Sequence, residues 1–179
     1  LGVTFDHVLD IPVTALLWSS SLQIWIAGTR DGVRVSTRAM EARVWIDGED
    51  GTEGVTVLEL AQDEYGLYGA TSTGLWFSND AQDWTQRLAT DHPVMAVATD
   101  PDWDGGIWFS TAANVFRSDD GGWSARLTSE APVHGVVALN RVGPGHVIAS
   151  GSDGPWESMD GGVTWLPVTR GLSSPDCRG

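Results

Sequence analysis

An all-β fold made of repeated four-stranded sheets is predicted by three features of this 179-residue sequence. Short runs of β-branched and aromatic residues recur with a period of about 40 residues, Gly and Asp punctuate them at matching places, and no stretch of useful length has helical periodicity. Four short antiparallel strands per repeat is the pattern of a β-propeller blade. The chain holds about four such repeats.

The strands fall in order. First strands are expected at 12–17, 55–60, 93–98 and 132–138, and in all but the second a Pro stands first (Pro12, Pro93, Pro132), where its missing N–H costs little. Second strands are expected at Trp25–Thr29, Leu67–Thr71, Trp108–Thr111 and Val147–Ser150, and third strands at Val33–Val35, Leu75–Phe77, Val115–Arg117 and Pro155–Glu157. Gly32, Gly74, Asn114 and Gly154 precede the third strands. Gly takes positive φ freely and Asn tolerates it best among the others, so each marks a hairpin.

A second hairpin closes each repeat. In Ser158 to Trp165, S-M-D-G-G-V-T-W, Asp160 can accept hydrogen bonds from the N–H groups of the turn, and Gly162 permits positive φ. Thr164 and Trp165 re-enter a strand, and the indole can fold back to fill the gap beneath the turn. Ser118-Asp119-Asp120-Gly121-Gly122-Trp123 is a copy two residues short, with Ser124 following; Ser78 to Thr85, with Asp80 and Trp84, is one residue short and lacks the Gly. Ser36 to Trp45 is a decayed copy. The four serines are 42, 40 and 40 residues apart. The motif resembles the Asp box, S-x-D-x-G-x-T-W, of the bacterial neuraminidase-repeat (BNR) propellers, and Ser158 to Trp165 matches it throughout. That resemblance takes in sialidases, xyloglucan-cleaving glycosidases, the sortilin receptors and the photosystem II assembly factor. It implies a propeller in an extracytoplasmic setting, periplasmic or secreted, in which the boxes are structural and lie away from the active face.

Composition narrows the function. The net charge is −14 with a pI near 4.3, and all ten basic residues are Arg. Affinity for nucleic acid rests on basic groups neutralising phosphates, which argues against such a partner. No apolar run approaches the roughly 20 residues of a membrane-spanning helix.

The repeats are read as 6–45, 46–84, 85–123 and 124–165, with 166–179 a tail or the start of a further blade. Gly2 to Phe5 matches Gly162 to Trp165 position for position, as though the chain opens inside a box. Both ends then resemble outer strands, and a lone four-bladed ring would hold one strand too many. Further blades or a second copy are the expected completion; a four-bladed ring with one loose end is the alternative.

Asp100, Asp102 and Asp104 have the D-x-D-x-D-G spacing that can wrap oxygens around calcium, although Thr111 stands where the helix-loop-helix motif has its Glu. An ordinary turn is the alternative. Arg30, Arg34, Arg38 and Arg43 cluster in the first repeat, but the arginines with which sialidases clamp a carboxylate come from different blades. Tyr65 and Tyr68 are the only tyrosines available as a sialidase-like nucleophile. Only Trp18 and Trp103 lack a place imposed by the repeat. His7, His92, His134 and His146 share no metal-ligand spacing, and Cys177 is the single cysteine.

The sequence therefore reads as a non-enzymatic propeller scaffold for protein binding or complex assembly. The alternative is a glycan-binding or sialidase-like hydrolase fragment.

Overall fold

Four antiparallel sheets of four strands each make up the computed structural model, which describes residues 11–36, 45–47, 51–100, 105–128, 138–152 and 154–168. The first holds β1 (Val13–Ser19), β2 (Ile24–Thr29), β3 (Gly32–Ser36) and β4 (Trp45–Asp47). The second holds β5 (Val57–Gln62), β6 (Leu67–Thr71), β7 (Gly74–Ser78) and β8 (Thr85–Ala89). The third holds β9 (Ala96–Asp100), β10 (Gly106–Ser110), β11 (Val115–Ser118) and β12 (Arg126–Leu127). The fourth holds β13 (Ala138–Gly143), β14 (His146–Gly151), β15 (Gly154–Ser158) and β16 (Leu166–Pro167). Each is a meander in chain order, and no helix occurs among the described residues. Among the described residues there is thus no helix long and apolar enough to cross a membrane.

Each sheet is offset by one strand from a repeat counted box to box, because β8, β12 and β16 follow their boxes yet pair with β7, β11 and β15. The hairpin glycines Gly32, Gly74 and Gly154 have φ of 82°, 137° and 94°. Gly74 is irreplaceable, since a Cβ there would lie 2.1 Å from the Leu88 carbonyl oxygen. Asn114 corrects the sequence expectation: it stays out of the left-handed region, and its carbonyl accepts the Thr111 N–H at 2.9 Å. The prolines also sit further out than expected. Pro12 lies just before β1, and β9 starts at Ala96, three residues beyond Pro93. Gly2 to Phe5, Pro132, residues 37–44 of the decayed copy and Cys177 lie outside the described residues.

The core lies between sheets. Ile26, Val33 and Val35 meet Val57, Leu67 and Trp84 across the first interface. Tyr68, Leu75 and Phe77 meet Val97, Ile107 and Phe109 across the second, and Trp108 and Val115 meet Val147, Ala149 and Trp165 across the third. Alternate side chains of a strand point to opposite faces. Leu67 accordingly faces backward and Tyr68 forward, as Ile107 and Trp108 do one sheet later. A strand with a sheet on both faces is buried on both, and β6 and β10 are accordingly unbroken buried runs.

The box end of the sheets

The three well-formed boxes turn on one device. In the fourth sheet Ser158 Oγ accepts the Gly162 N–H at 2.8 Å and donates to Asp160 Oδ1 at 2.9 Å. Asp160 Oδ1 then takes the N–H groups of Val163 and Thr164 at 3.1 and 2.8 Å, and its Oδ2 takes the Thr164 hydroxyl at 2.6 Å. The Thr164 hydroxyl and amide hold the Asp160 carboxyl down at about 2. Asp120 is lowered as well, its slight burial outweighed by the Ser124 hydroxyl and amide. Asp80 is lowered too, its slight burial outweighed by the amides of Asp83 and Gln82.

The third box differs from its sequence reading. Ser124 donates its amide to Asp120 Oδ1 at 2.9 Å and its hydroxyl to Oδ2 at 2.6 Å, the two bonds made by Thr164. The box is therefore full length, Ser124 stands for Thr164, and Ala125 stands for the terminal Trp. Trp123 corresponds to Val163, and both are 61% exposed, whereas Trp84 and Trp165 are buried. In the second box Ala81 has φ 66°, where Gly121 and Gly161 have 71° and 73°. There the Trp84 indole does fold back, donating to the Ala81 carbonyl at 3.2 Å.

Because the third box has no Trp to insert, the second interface is completed differently. Arg87 stacks on Phe77, its Cζ 3.4 Å from the ring centroid, and lies 5.1 Å from the Trp123 ring. Its Nη1 donates to the Gly121 carbonyl in the next sheet. Around it opens a cleft of about 420 Å³ whose lining includes Tyr65, Tyr68 and Gly121. Tyr68 is fully buried, and burial, followed by the neighbouring Asp63 carboxylate, pushes its phenol up to about 12. Burial also raises Asp63. A phenol held neutral in this way is a poor nucleophile.

A corresponding cleft of about 310 Å³ opens between the third and fourth boxes. Buried Arg117 pairs there with Asp119 at 2.7 Å, and Arg126 approaches the other oxygen of Asp119 at 3.6 Å. Asp100 ends β9 and lines the same cleft. Its sequence companions Asp102 and Asp104 lie outside the described residues, and among the described residues no three His, Cys, Asp or Glu side chains group to hold a metal. Arg34 donates to the carbonyls of Asp31 and Val33 in its own hairpin, while Arg38, Arg43 and Trp103 lie outside the described residues.

Among the described residues the exposed large apolar side chains fall into two sets: Val13, Leu16 and Val142 lie on the first strands β1 and β13, and the others lie at this end or along the outer edges. Tyr65, Trp123, Met159 and Val163 stand on turns, and Leu127 and Leu166 on β12 and β16. Sequence reasoning missed Arg87, because its partner in the next repeat is a carbonyl and leaves no residue signature.

No protein-family model and no curated protein matches the chain. Among solved structures, the extracellular domain of a B. thetaiotaomicron one-component system superposes with a TM-score of 0.74 at 13% identity, over 96% of this chain and 25% of its own. The GH74 xyloglucanase of Xanthomonas campestris gives 0.68 at 19%, over 85% and 28%. The WD40 β-propeller domain of Doa1 gives 0.66 at 15%, over 87% and 54%. The fold is that of β-propeller blades. The chain spans about a quarter of the first two structures and about half of the third.

Proposed function

We propose that the chain is a non-enzymatic propeller segment of the Asp-box type that binds a protein partner through its box end and outer blade edges, in an extracytoplasmic setting. The observation that carries this reading is the set of large apolar side chains, Trp123, Met159 and Val163, exposed on successive box hairpins. The turn architecture demands none of them, since the bonds of the box run through Ser, Asp and Thr. Large apolar groups exposed at the same end of neighbouring sheets suit an interaction surface. The box acids are meanwhile engaged with their own turns, which suits a structural role better than acid–base chemistry.

The reading is tested by immobilising the purified chain, identifying captured proteins, and measuring their affinity for a Trp123→Ser/Met159→Ser/Val163→Ser variant. A partner bound through this surface loses at least tenfold in affinity, and unchanged affinity removes the proposal.

The cleft rimmed by exposed Tyr65 beside Arg87 supports a second reading, a glycan-binding propeller fragment. Retardation of the chain in polysaccharide gels, lost on Tyr65→Ala, would favour it.

A further inference from the structure

We infer that the two outermost blades carry complementary docking faces, and that a second copy of this chain packs on them head to tail to close one ring. The required interface already occurs three times within the chain. In each case the second strand of one sheet is covered by the first strand of the next: β2 by β5, β6 by β9, and β10 by β13. The covered strands hold Ile26, Tyr68 and Trp108, matched by their pairing to Val35, Phe77 and Arg117, and all three are fully buried.

The fourth sheet breaks this pattern. Ile148, paired with Glu157, occupies the same place and is only half-buried. Burial alternates along β14, whereas β6 and β10 are buried throughout. Val147 and Ala149 face the third sheet, so the uncovered face is the one carrying Ile148. The first sheet shows the converse. Val57 opens β5 and Ala96 opens β9, and both are buried, but Val13 opening β1 is 45% exposed. Leu60 packs on the cluster that holds Ile26, while its counterpart Leu16 is 60% exposed.

One bare face is thus built like a covering strand and the other like a covered one, and among the described residues β1 does not pack on β13 or β14 as its counterparts pack on their neighbours. A chain with two different, mutually complementary faces forms heterologous contacts, which give a closed ring when the rotation closes. Two copies would use both faces of each. This pairing uses inner-strand faces and does not depend on the proposed partner surface at the box end. Its salt dependence also has its own sign: two chains of net charge −14 repel, so screening strengthens their association.

The test is light scattering and sedimentation of the purified chain over a range of concentration and salt. The expected result is a species of twice the 19.2 kDa chain mass, tightened by salt. Leu16→Asp and Ile148→Asp should each raise the dimer dissociation constant by at least about 100-fold, because each would bury a charge in the contact. Leu16 is already largely exposed in the single chain, so its variant should keep the parent circular dichroism spectrum and serves as the decisive one. A monomeric parent, an assembly larger than two copies, or a dimer that survives Leu16→Asp overturns the inference.

Discussion

Arg87 on β8 of the second blade donates through Nη1 to the carbonyl of Gly121 in the third blade's box, with its guanidinium laid on Phe77. The bond crosses between blades, and charged hydrogen bonds of this kind contribute about 1.5–3 kcal/mol. Arg87→Ala should lose about that much in a urea titration. Arg87→Lys should recover little, since an ammonium cannot both stack on the ring and keep the planar reach of a guanidinium. Full recovery by Lys would show that charge alone matters there.

Two tryptophans that look alike in sequence should separate widely in stability. Trp165 is buried among Trp108, Val147 and Ala149, and Trp165→Ala should cost about 3–5 kcal/mol. Trp123 is exposed, with the Arg87 guanidinium 5.1 Å from its ring centroid, so Trp123→Ala should cost at most about 1 kcal/mol. Equal losses in denaturant melts would contradict the assignment of Trp123 to the exposed position two residues before the terminal residue of the box.

These two residues also show what could be read in the chain. The strand pattern, the hairpin glycines and the Ser/Asp pairs were legible because each is a local consequence of backbone geometry and recurs every 40 or so residues. Trp123 misleads because it sits two residues before the terminal position of its box; the Ser124 hydroxyl, which completes the hydrogen bonding to Asp120, fixes the frame counted from Ser118. The positive φ of Ala81 was hidden because tertiary packing imposes a conformation that Ala itself resists. The clefts and Arg87 were out of reach, since contacts between blades join residues with no fixed spacing in the chain.

Acid should act through two opposing sets of carboxyls. Asp160, held at about 2 against an ordinary 3.8, contributes stability that is complete above about 3.8 and is lost as pH falls through about 2. Asp80 and Asp120 are shifted in the same direction and add to that loss. Glu59, which accepts the Val97 N–H at 2.8 Å, is instead raised above 4.5 by burial. Its charge therefore destabilises the fold at neutral pH and ceases to do so once it is protonated in both folded and unfolded states. Asp160→Asn should flatten the stability profile between about pH 4 and 2, and Glu59→Gln should stabilise the fold at pH 7 while changing little at pH 4. Thermal melts across that range check both signs; a Glu59→Gln variant less stable at pH 7 would mean the carboxylate's bond to Val97 outweighs its burial.

Glycoside hydrolysis needs two available carboxyls facing each other across the bond, or a reactive Tyr with its acid partners. Asp80, Asp120 and Asp160 are occupied by their turns, Asp119 by Arg117, and Tyr68 is buried with its phenol near 12. The purified chain should therefore turn over neither sialosides nor β-glucans. Its excess of acids instead suits a basic partner surface around the apolar contact of Trp123, Met159 and Val163, and such complementarity raises association rates more than final affinity. In a salt titration against a captured partner, the association rate should fall steeply with ionic strength while the dissociation rate changes little. This is the opposite of the salt response expected for pairing of two copies, so one titration series separates the two surfaces. A partner whose association rate ignores salt removes the electrostatic part of the proposal, and measurable glycosidase turnover removes the non-enzymatic reading itself.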